Sequence, residues 1–414
     1  MNRIEEWMNS RIGLNFRSGL GRMQQAVKLL GNPHEAVPMI HVTGTNGKGS
    51  TIAFMRQLFQ QHGLKVGTFT SPHIVSMHDR ICINGQPISD QDLIRLGQRI
   101  QEMESQLLET HDQLSYFEII TLLAFLYFHE QEVDLALIEV GIGGLLDTTN
   151  VITGEVAVIT SVGLDHQETL GGSLEAIAAQ KAGIFKAGKP AVIGPLAEEA
   201  ERVCIEEAKA TGCSLARYGD DFQLVKGVFQ DARHRFDSLK VGLNGAYQEE
   251  NAAVALEAFL LFMEQRGKQV DENCVREALQ TTSWPGRLES FGQGVYLDGA
   301  HNPHAIHRLV EYSRTFSDKR VKILFGALKR KDYKGMLEIF SRDLPEADLT
   351  VTTFAYGDVQ EADGLGYPYV ADFRDYLQDF YSRQDGQELL FVTGSLYFIS
   401  EVRAYLLEQG KNPL

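Results

Sequence analysis

Short apolar runs alternate with helical patterns through most of the 414-residue chain. Five runs of strand length occupy residues 39–42, 65–69, 135–140, 156–161 and 190–193. Helical patterns at 119–130 and 174–186 lie between them, so the chain predicts βαβ units around a mainly parallel sheet. A more polar, alternating stretch at 222–239 predicts an antiparallel hairpin, and residues 251–265 predict a helix.

The alternation restarts after the Ser-Trp-Pro-Gly turn at residues 283–286. Beyond it, strands are predicted at 295–298, 321–326, 349–353 and 389–393, with helices at 303–312, 333–340 and 396–409. A chain of this length is expected to form two domains. We therefore predict an α/β protein with a larger domain at residues 1–286 and a smaller α/β domain at residues 287–414.

One glycine-rich turn carries the strongest chemical signal. It lies between the first predicted strand and a helical pattern that begins near Ser50, an order typical of a phosphate-binding loop. Glycines let backbone N–H groups point toward an anion, and the helix N-terminus adds unpaired donors. Lys48 would reach the β- and γ-phosphates, and the Ser50 hydroxyl would bind Mg²⁺. An ordinary glycine-rich turn is the alternative, because Val42 replaces the usual first glycine and Gly49 separates the lysine from the hydroxyl. The predicted phosphate-binding residues are Gly44, Thr45, Asn46, Gly47, Lys48, Gly49 and Ser50.

Polar residues follow several of the other predicted strands. Glu139 ends an apolar strand, and a carboxylate beside a phosphate loop can hold Mg²⁺. Asp147 and Asn150 follow on the next loop, which could equally be a solvated turn. His166 could be a metal ligand, a base or a helix cap. Lys181 lies among apolar residues, and from the residues alone we expect it to extend its amine to solvent.

Two further segments could serve a substrate. Asp298 and His301 follow a strand of the second block, where an acid can contact a nucleotide ribose. The loop at residues 70–80 mixes apolar residues with His and Arg, which suits a loop covering a substrate or a surface hairpin.

The composition argues against some classes of binding partner. A net charge of −16 argues against nucleic acid or an anionic membrane as the main partner. No apolar run is long enough to span a membrane, and the N-terminus lacks the apolar core of a signal peptide. The four cysteines are scattered, as expected for free thiols in a reducing compartment. We therefore expect a cytoplasmic protein that acts on small molecules, and as a separate expectation a monomer.

Taken in order, these segments resemble the folylpolyglutamate synthase/dihydrofolate synthase family, part of the wider Mur ligase group. The resemblance rests on residues 43–50, 70–73, 139–144, 163–166, 180–184, 251–253, 284–289 and 298–303. It implies a P-loop NTPase-like N-terminal domain and a smaller Rossmann-like C-terminal domain. It also implies an ATP-dependent ligase that phosphorylates a folate or pteroate carboxylate and joins the acyl phosphate to L-glutamate.

The resemblance assigns roles to individual residues. It implies ATP, two Mg²⁺ sites and a monovalent cation as cofactors, with Lys181 carbamylated so that it faces Mg²⁺ as an anion. The implied catalytic residues are Lys48, Lys181 and His166, and the implied metal residues are Ser50, Ser71, Glu139 and His166. Nucleotide contacts would extend from the phosphate loop to Asn251, Arg287, Asp298 and His301. Substrate contacts would come from Ser71, Pro72, His73, Arg80 and Asp147.

The sequence departs from the family pattern at two positions, and three alternative functions stay open. Leu145 stands where many members carry Arg, and Tyr247 where many carry His. The alternatives are a Mur-type ligase for another acid, a P-loop switch or transport ATPase, and a non-catalytic folate-binding protein. The sequence also leaves open whether one or both of the folate activities are present.

Overall fold

The computed structural model describes residues 3–13, 19–73, 76–361, 364–383 and 385–413. The chain divides into two compact units, the first made of Met1–Val241 and Glu250–Thr282 and the second of Gly242–Glu249 and Ser283–Leu414. The short segment Gly242–Glu249 belongs with the second unit, which no pattern in the sequence indicated. The predicted assignment of residues 1–286 and 287–414 to two domains with separate roles stays a prediction.

The first unit is built on an eight-stranded sheet in the order β4-β3-β2-β5-β1-β6-β7-β8. Neighbouring strands run parallel except at β3 and β4. Every residue of the central strands is buried, which is typical of a sheet covered on both faces. The strands are β1 (Met39–Thr43), β2 (Val66–Phe69), β3 (Ile81–Ile83), β4 (Gln86–Pro87), β5 (Leu135–Glu139), β6 (Val156–Ile159), β7 (Pro190–Ile193) and β8 (Ser214–Arg217).

The helices up to the second boundary of this unit pack on the sheet or on one another, and the ninth of them begins inside Gly242–Glu249. They are α1 (Arg3–Asn9), α2 (Gly21–Leu29), α3 (Lys48–Gln61), α4 (Asp90–Leu107), α5 (Tyr116–Glu130), α6 (Gln167–Leu170), α7 (Leu174–Ala182), α8 (Glu198–Thr211), α9 (Tyr247–Gln265) and α10 (Glu272–Thr281). The apolar α5 is buried from Glu118 to Phe128, and Ser115 caps its start. Helix α7 ends four residues before its predicted end. Ile184 and Phe185 continue the apolar pattern in turns beyond the helix, where both are buried.

The predicted hairpin at 222–239 is a three-stranded antiparallel sheet in the order β11-β10-β9. Its strands are β9 (Gln223–Val225), β10 (Val228–Gln230) and β11 (Arg235–Phe236). The antiparallel prediction is confirmed, with one strand more than a hairpin needs.

The second unit has a six-stranded sheet in the order β12-β13-β17-β14-β15-β16, parallel except for β12. Alternate residues of β14 enter two different apolar clusters, so both faces of the sheet are covered. The strands are β12 (Glu289–Ser290), β13 (Val295–Leu297), β14 (Arg320–Phe325), β15 (Asp348–Thr352), β16 (Tyr369–Val370) and β17 (Glu388–Thr393). The helices are α11 (Pro303–Ser313), α12 (Tyr333–Asp343), α13 (Phe373–Arg383) and α14 (Leu396–Glu408).

The predicted α/β class with mainly parallel sheets is confirmed in both units. Within the described ranges, no helix has both the length and the apolar character needed to cross a lipid bilayer.

Candidate active site

The glycine-rich loop between β1 and α3 is tied to the residues that follow β6. The Thr45 N–H donates to the Ser161 carbonyl at 3.0 Å, and the Asn46 N–H donates to Ser161 Oγ at 2.9 Å. Thr160 Oγ1 donates to the Asn46 carbonyl at 2.6 Å. The loop backbone is therefore fixed by two hydroxyl residues that the sequence reasoning did not include in the site. Their place at a strand end next to the loop was the signal that could have found them.

Two positions in the loop have no room for a side chain. A Cβ added at Gly44 would lie 1.9 Å from Thr160 Oγ1. Gly47 has a φ of +87°, and a Cβ there would lie 2.4 Å from Asn251 Oδ1. Glycine is required at the second position by both conformation and space. The same contact brings Asn251, a predicted nucleotide residue, against the phosphate loop.

The start of α3 meets the end of β5. Val42 pairs with Glu139, so the carboxylate emerges beside the loop that β1 feeds. Lys48 Nζ lies 4.0 Å from Glu139 Oε1 and donates to the Gly44 carbonyl at 2.8 Å. The Ser71 N–H donates to Glu139 Oε2 at 3.0 Å. The structure thus brings a predicted phosphate-binding lysine and a predicted metal carboxylate together.

The donor chemistry here suits Mg²⁺. Glu139 and Ser50 are both buried, at 3% and 1% exposure, and they supply a carboxylate and a hydroxyl. Hard oxygen donors next to a phosphate loop are what Mg²⁺ prefers. The metal roles of Ser50, Ser71 and Glu139 stay predictions.

Asp147 organises the loop that follows β5. Its carboxylate accepts hydrogen bonds from the Ile142 N–H at 3.0 Å, the Thr149 N–H at 3.0 Å and Thr149 Oγ1 at 2.5 Å. Burial raises the pKa of Asp147, and these bonds oppose that rise. The contacts favour a loop-holding role over the predicted substrate contact, which stays a prediction. Thr149 Oγ1 also lies 2.8 Å from Nε2 of the buried His41.

Lys181 is buried on α7, with 3% of its surface exposed. Burial lowers its pKa to about 7, and the nearby positive charge of Lys48 adds to that effect. Asp165 and Asp147 oppose it. Across the described part of the chain, the amine makes no hydrogen bond or ion pair. The expectation from residues alone, an amine that reaches solvent, is therefore wrong, because the lysine side chain is enclosed.

His166 lies at the N-terminal end of α6. Its backbone is left-handed, with a φ of +52°, and 43% of its side chain is exposed. Nε2 lies 4.0 Å from Asp165 Oδ2. The exposed ring is accessible to a ligand, and the metal and catalytic roles of His166 stay predictions.

The 70–80 loop is closed at its base, where the Thr70 N–H donates to the Arg80 carbonyl at 2.9 Å. Ser71 and Pro72, joined by a cis peptide bond, start the loop beside Glu139. Residues 74 and 75 lie outside the described residues. Three predicted substrate residues, Ser71, Pro72 and Arg80, thus belong to one closed loop next to the phosphate-binding region.

Inside that loop, Arg80 is buried with 8% exposure. Its Nε donates to His73 Nδ1 at 3.1 Å, and the guanidinium lies 5.9 Å from the centre of the Tyr116 ring. Burial, and then the charge of Arg80, lower the pKa of His73 to about 4. A neutral imidazole leaves the arginine charge uncompensated by this contact. Sequence reasoning did not single out Tyr116.

In the second unit, Asp298 follows β13 and is buried. It accepts from the Leu288 N–H and the Ala300 N–H, each at 3.0 Å. Burial raises the pKa of Asp298, and Arg287 opposes the rise. The carboxylate therefore fastens the segment before β12 to the end of β13. Its predicted nucleotide contact stays a prediction.

Arg287 and His301 also belong to this strand end. Arg287 Nη1 donates to the Gly286 carbonyl at 3.1 Å, and His301 Nδ1 donates to the Gly299 carbonyl at 2.8 Å. A Cβ at Gly299 would lie 2.4 Å from Arg287 Nη1. Arg287, Asp298 and His301 thus share one strand end of the second unit, and their nucleotide roles stay predictions.

The two departures from the family pattern differ in environment. Leu145 is 44% exposed. Tyr247 packs against the core of the second unit, where burial and the Asp298 carboxylate raise its pKa.

An α/β sheet that ends in a glycine loop, a lysine and a strand-end carboxylate defines a P-loop nucleotide-binding enzyme. The Mur ligase middle domain model matches residues 42–259, and the model described as Mur ligase, glutamate ligase domain matches residues 286–396. The dihydrofolate synthase/folylpolyglutamate synthase of Bacillus subtilis (strain 168) is 35% identical over 97% of this chain and 97% of its own length. The chain belongs to the folylpolyglutamate synthase/dihydrofolate synthase family of Mur ligases.

Solved structures of family members have the same fold as this chain. An FPGS complex with AMPPCP and folate has a TM-score of 0.87 and 32% identity, covering 98% of this chain and 100% of that one. Escherichia coli FolC in complex with DHPP and ADP has a TM-score of 0.87 and 28% identity, covering 99% of each chain.

Proposed function

We propose that this chain joins L-glutamate to a folate, and to dihydropteroate, at the expense of ATP. The observation that carries the proposal is the phosphate loop with Lys48 and Glu139 assembled in one α/β unit, in a chain that matches its Bacillus relative over 97% of its length. The named Bacillus relative combines dihydrofolate synthase and folylpolyglutamate synthase activities. Related structures contain folate with AMPPCP, or DHPP with ADP.

The reaction has two steps in this proposal. An oxygen of the substrate carboxylate attacks the γ-phosphorus of ATP, and the bond to the β-γ bridging oxygen breaks, which releases ADP and leaves an acyl phosphate. The amine of L-glutamate then attacks the acyl carbon, and phosphate leaves as the amide forms. Phosphorylation is needed because a free carboxylate is a poor acyl donor. The protein contributes positioning and neutralisation of charge.

The residues of the first unit supply those contributions. The backbone N–H groups of the loop and the N-terminus of α3 would hold the phosphates. Lys48 would neutralise charge on the transferring phosphoryl group. Ser50 and Glu139 would hold one Mg²⁺, with Ser71 beside them, and Mg²⁺ when bound offsets negative charge on the phosphate oxygens.

We include the modification of Lys181 in this proposal. An amine with a pKa near 7 is largely neutral at physiological pH, and the neutral amine is the form that reacts with CO₂. The carbamate would convert a buried cation into an anion able to face a second Mg²⁺ together with His166. The proposal also retains a monovalent cation.

The substrate and nucleotide contacts complete the proposal. Ser71, Pro72, His73 and Arg80 would contact the folate or pteroate, since the buried guanidinium is suited to a carboxylate. We keep Asn251, Arg287, Asp298 and His301 as nucleotide residues. We also propose that the protein works as a monomer in the cytoplasm, a reducing compartment that suits its four free thiols.

The first test measures ADP release by the purified protein with Mg²⁺-ATP and L-glutamate. Dihydropteroate and reduced folates are offered in separate reactions, and product masses are read in parallel. A product heavier by one glutamate residue on either substrate is the expected result, and the two reactions separate the two activities. ADP release with no glutamate adduct on any pterin would overturn the folate proposal.

A matched pair of variants ties the activity to the site. Glu139→Gln removes the charge of the predicted metal ligand while preserving its shape. Glu109→Gln makes the same change at an exposed position. We expect the first to lose ligase turnover and the second to keep it.

A further inference from the structure

A second group of polar side chains meets near the end of the 70–80 loop. Glu5 lies on α1, His78 lies in the 3-10 helix Met77–Arg80, and Asp90 is the first residue of α4. One possible ligand atom from each lies within 4.8 Å of the other two. Three elements far apart in sequence therefore converge on one point, and the proposed ligase reaction uses none of these side chains.

The imidazole of His78 is directed into this group. Its Nε2 is buried and lies 3.0 Å from Asp90 Oδ1. That approach is off the N–H direction, so within the described residues Nε2 makes no hydrogen bond. The other ring nitrogen, Nδ1, lies 3.4 Å from Ser76 Oγ. A buried polar atom without a hydrogen bond calls for a missing partner.

The arrangement matches what a metal-binding histidine needs. A histidine that binds a metal through one ring nitrogen is held by a polar group at the other, and Ser76 occupies that position for His78. Asp90 is 80% exposed on its side chain, so an ion can reach the group from solvent. The exposed carboxylate next to a buried ring nitrogen gives the group an open side and a closed side.

We propose that Glu5, His78 and Asp90 form a binding site for a divalent first-row transition-metal ion, of which Zn²⁺ is the probe ion. One imidazole nitrogen and two carboxylates are typical ligands of such ions. Mg²⁺ favours oxygen ligands alone, so the nitrogen selects against it. Three protein ligands leave one tetrahedral position for water.

A bound ion would connect α1 and α4 to the end of the 70–80 loop. Arg80 follows His78 by two positions, and the loop closes through the Thr70–Arg80 backbone bond. An ion at this point restrains the loop that carries the predicted folate residues. The metal site itself does not depend on the ligase proposal, because its residues and its test are separate from those of Glu139 and Lys48.

The test uses the full chain after treatment with a chelator. Zn²⁺ is titrated in excess Mg²⁺, which occupies sites made of oxygen alone, and bound zinc is counted by equilibrium dialysis and elemental mass spectrometry. The wild type is expected to bind one Zn²⁺ more than His78→Ala. Glu5→Gln and Asp90→Asn are expected to lower the affinity for that additional Zn²⁺ at least about 10-fold. His129→Ala, at an exposed histidine outside the group, is the matched control and should bind as the wild type does.

Two further readouts protect the test against a folding defect. Zn²⁺ should raise the midpoint of thermal unfolding of the wild type and of His129→Ala, with a smaller rise for Glu5→Gln and Asp90→Asn and none for His78→Ala. Co²⁺ should give a visible ligand-field spectrum in the wild type that His78→Gln lacks. Equal zinc stoichiometry and affinity in the wild type and in all three ligand variants would overturn the proposal, whatever the outcome of the ligase assay.

Discussion

The most informative perturbation is the replacement of Lys181 by methionine. Burial and the charge of Lys48 lower the pKa of Lys181 from 10.5 to about 7 in the folded protein. Between those two values the unfolded chain binds more protons than the folded one, so stability rises with pH across this window. Below about pH 7 the full penalty of burying a charged amine is present. Lys181→Met removes the penalty at every pH and keeps an unbranched side chain of similar length.

The magnitude follows from the two pKa values. The interval between 10.5 and 7, at about 1.4 kcal/mol per pH unit, gives an upper bound of about 5 kcal/mol at low pH. Raising the pH from about 7 to about 9 recovers about 2.3 kcal/mol of this, because the folded lysine is already half deprotonated at a pH equal to its pKa. For a unit of this size that corresponds to a change of roughly 5–10 °C in the unfolding midpoint.

The assay compares thermal unfolding of wild type and Lys181→Met between about pH 6 and about pH 9, in CO₂-free buffer without nucleotide. We expect the variant to unfold at the higher temperature at low pH, with a gap that narrows as the pH rises. Lys209→Met, an exposed lysine on α8, is the control and should show no such trend. A gap independent of pH, or a wild type that is the more stable at low pH, would refute the reasoning.

Three further predictions concern the phosphate loop and its surroundings. Gly47→Ala places an alanine in a left-handed conformation, which costs about 1–2 kcal/mol, and brings its Cβ against Asn251. The KM for ATP, measured by steady-state kinetics, should therefore rise at least about 10-fold. An unchanged KM would contradict the assignment of this loop. Glu139→Gln should lower kcat at least about 100-fold, and full turnover would remove Glu139 from the site. Asp147→Asn weakens the hydrogen bonds from Ile142 and Thr149, so it should lower the free energy of unfolding by roughly 2–3 kcal/mol. Thermal unfolding measures this change, and an unchanged midpoint would argue against the loop-holding role of Asp147.

Local sequence patterns located the main elements because their signals are local. A buried strand such as β1 or β7 is a short run of apolar residues, and its bounds follow from the run itself. The phosphate loop was found because glycines, lysine and hydroxyl follow each other along the chain. Reliance on local patterns also explains why the predicted end of α7 lay too far along the chain. Ile184 and Phe185 are buried in turns, and they extend the apolar pattern beyond the helix.

Contacts between distant residues were not predictable in this way. Thr160 and Ser161 hold the phosphate loop because β6 pairs with β1, a register that no local pattern specifies. The grouping of Glu5, His78 and Asp90 depends on three separate elements folding together. Such positions need the sheet order and the helix packing before they can be identified as neighbours.

Lys181 shows how the two kinds of information combine. Its neighbours in sequence are mostly apolar, which is compatible with either an enclosed lysine or one that extends to solvent. The deciding contact comes from the loop after β5, where a Cβ at Gly144 would lie 2.7 Å from the Gln180 carbonyl and 2.9 Å from the Lys181 carbonyl. Glycine at this position lets the loop approach the backbone of α7 closely, and the Leu145 N–H donates to the Gln180 carbonyl at 2.7 Å. The same loop carries Asp147, whose carboxylate charge opposes the lowering of the Lys181 pKa by burial. The close approach of this loop to α7 thus depends on a glycine in another segment, which the residues around the lysine could not reveal.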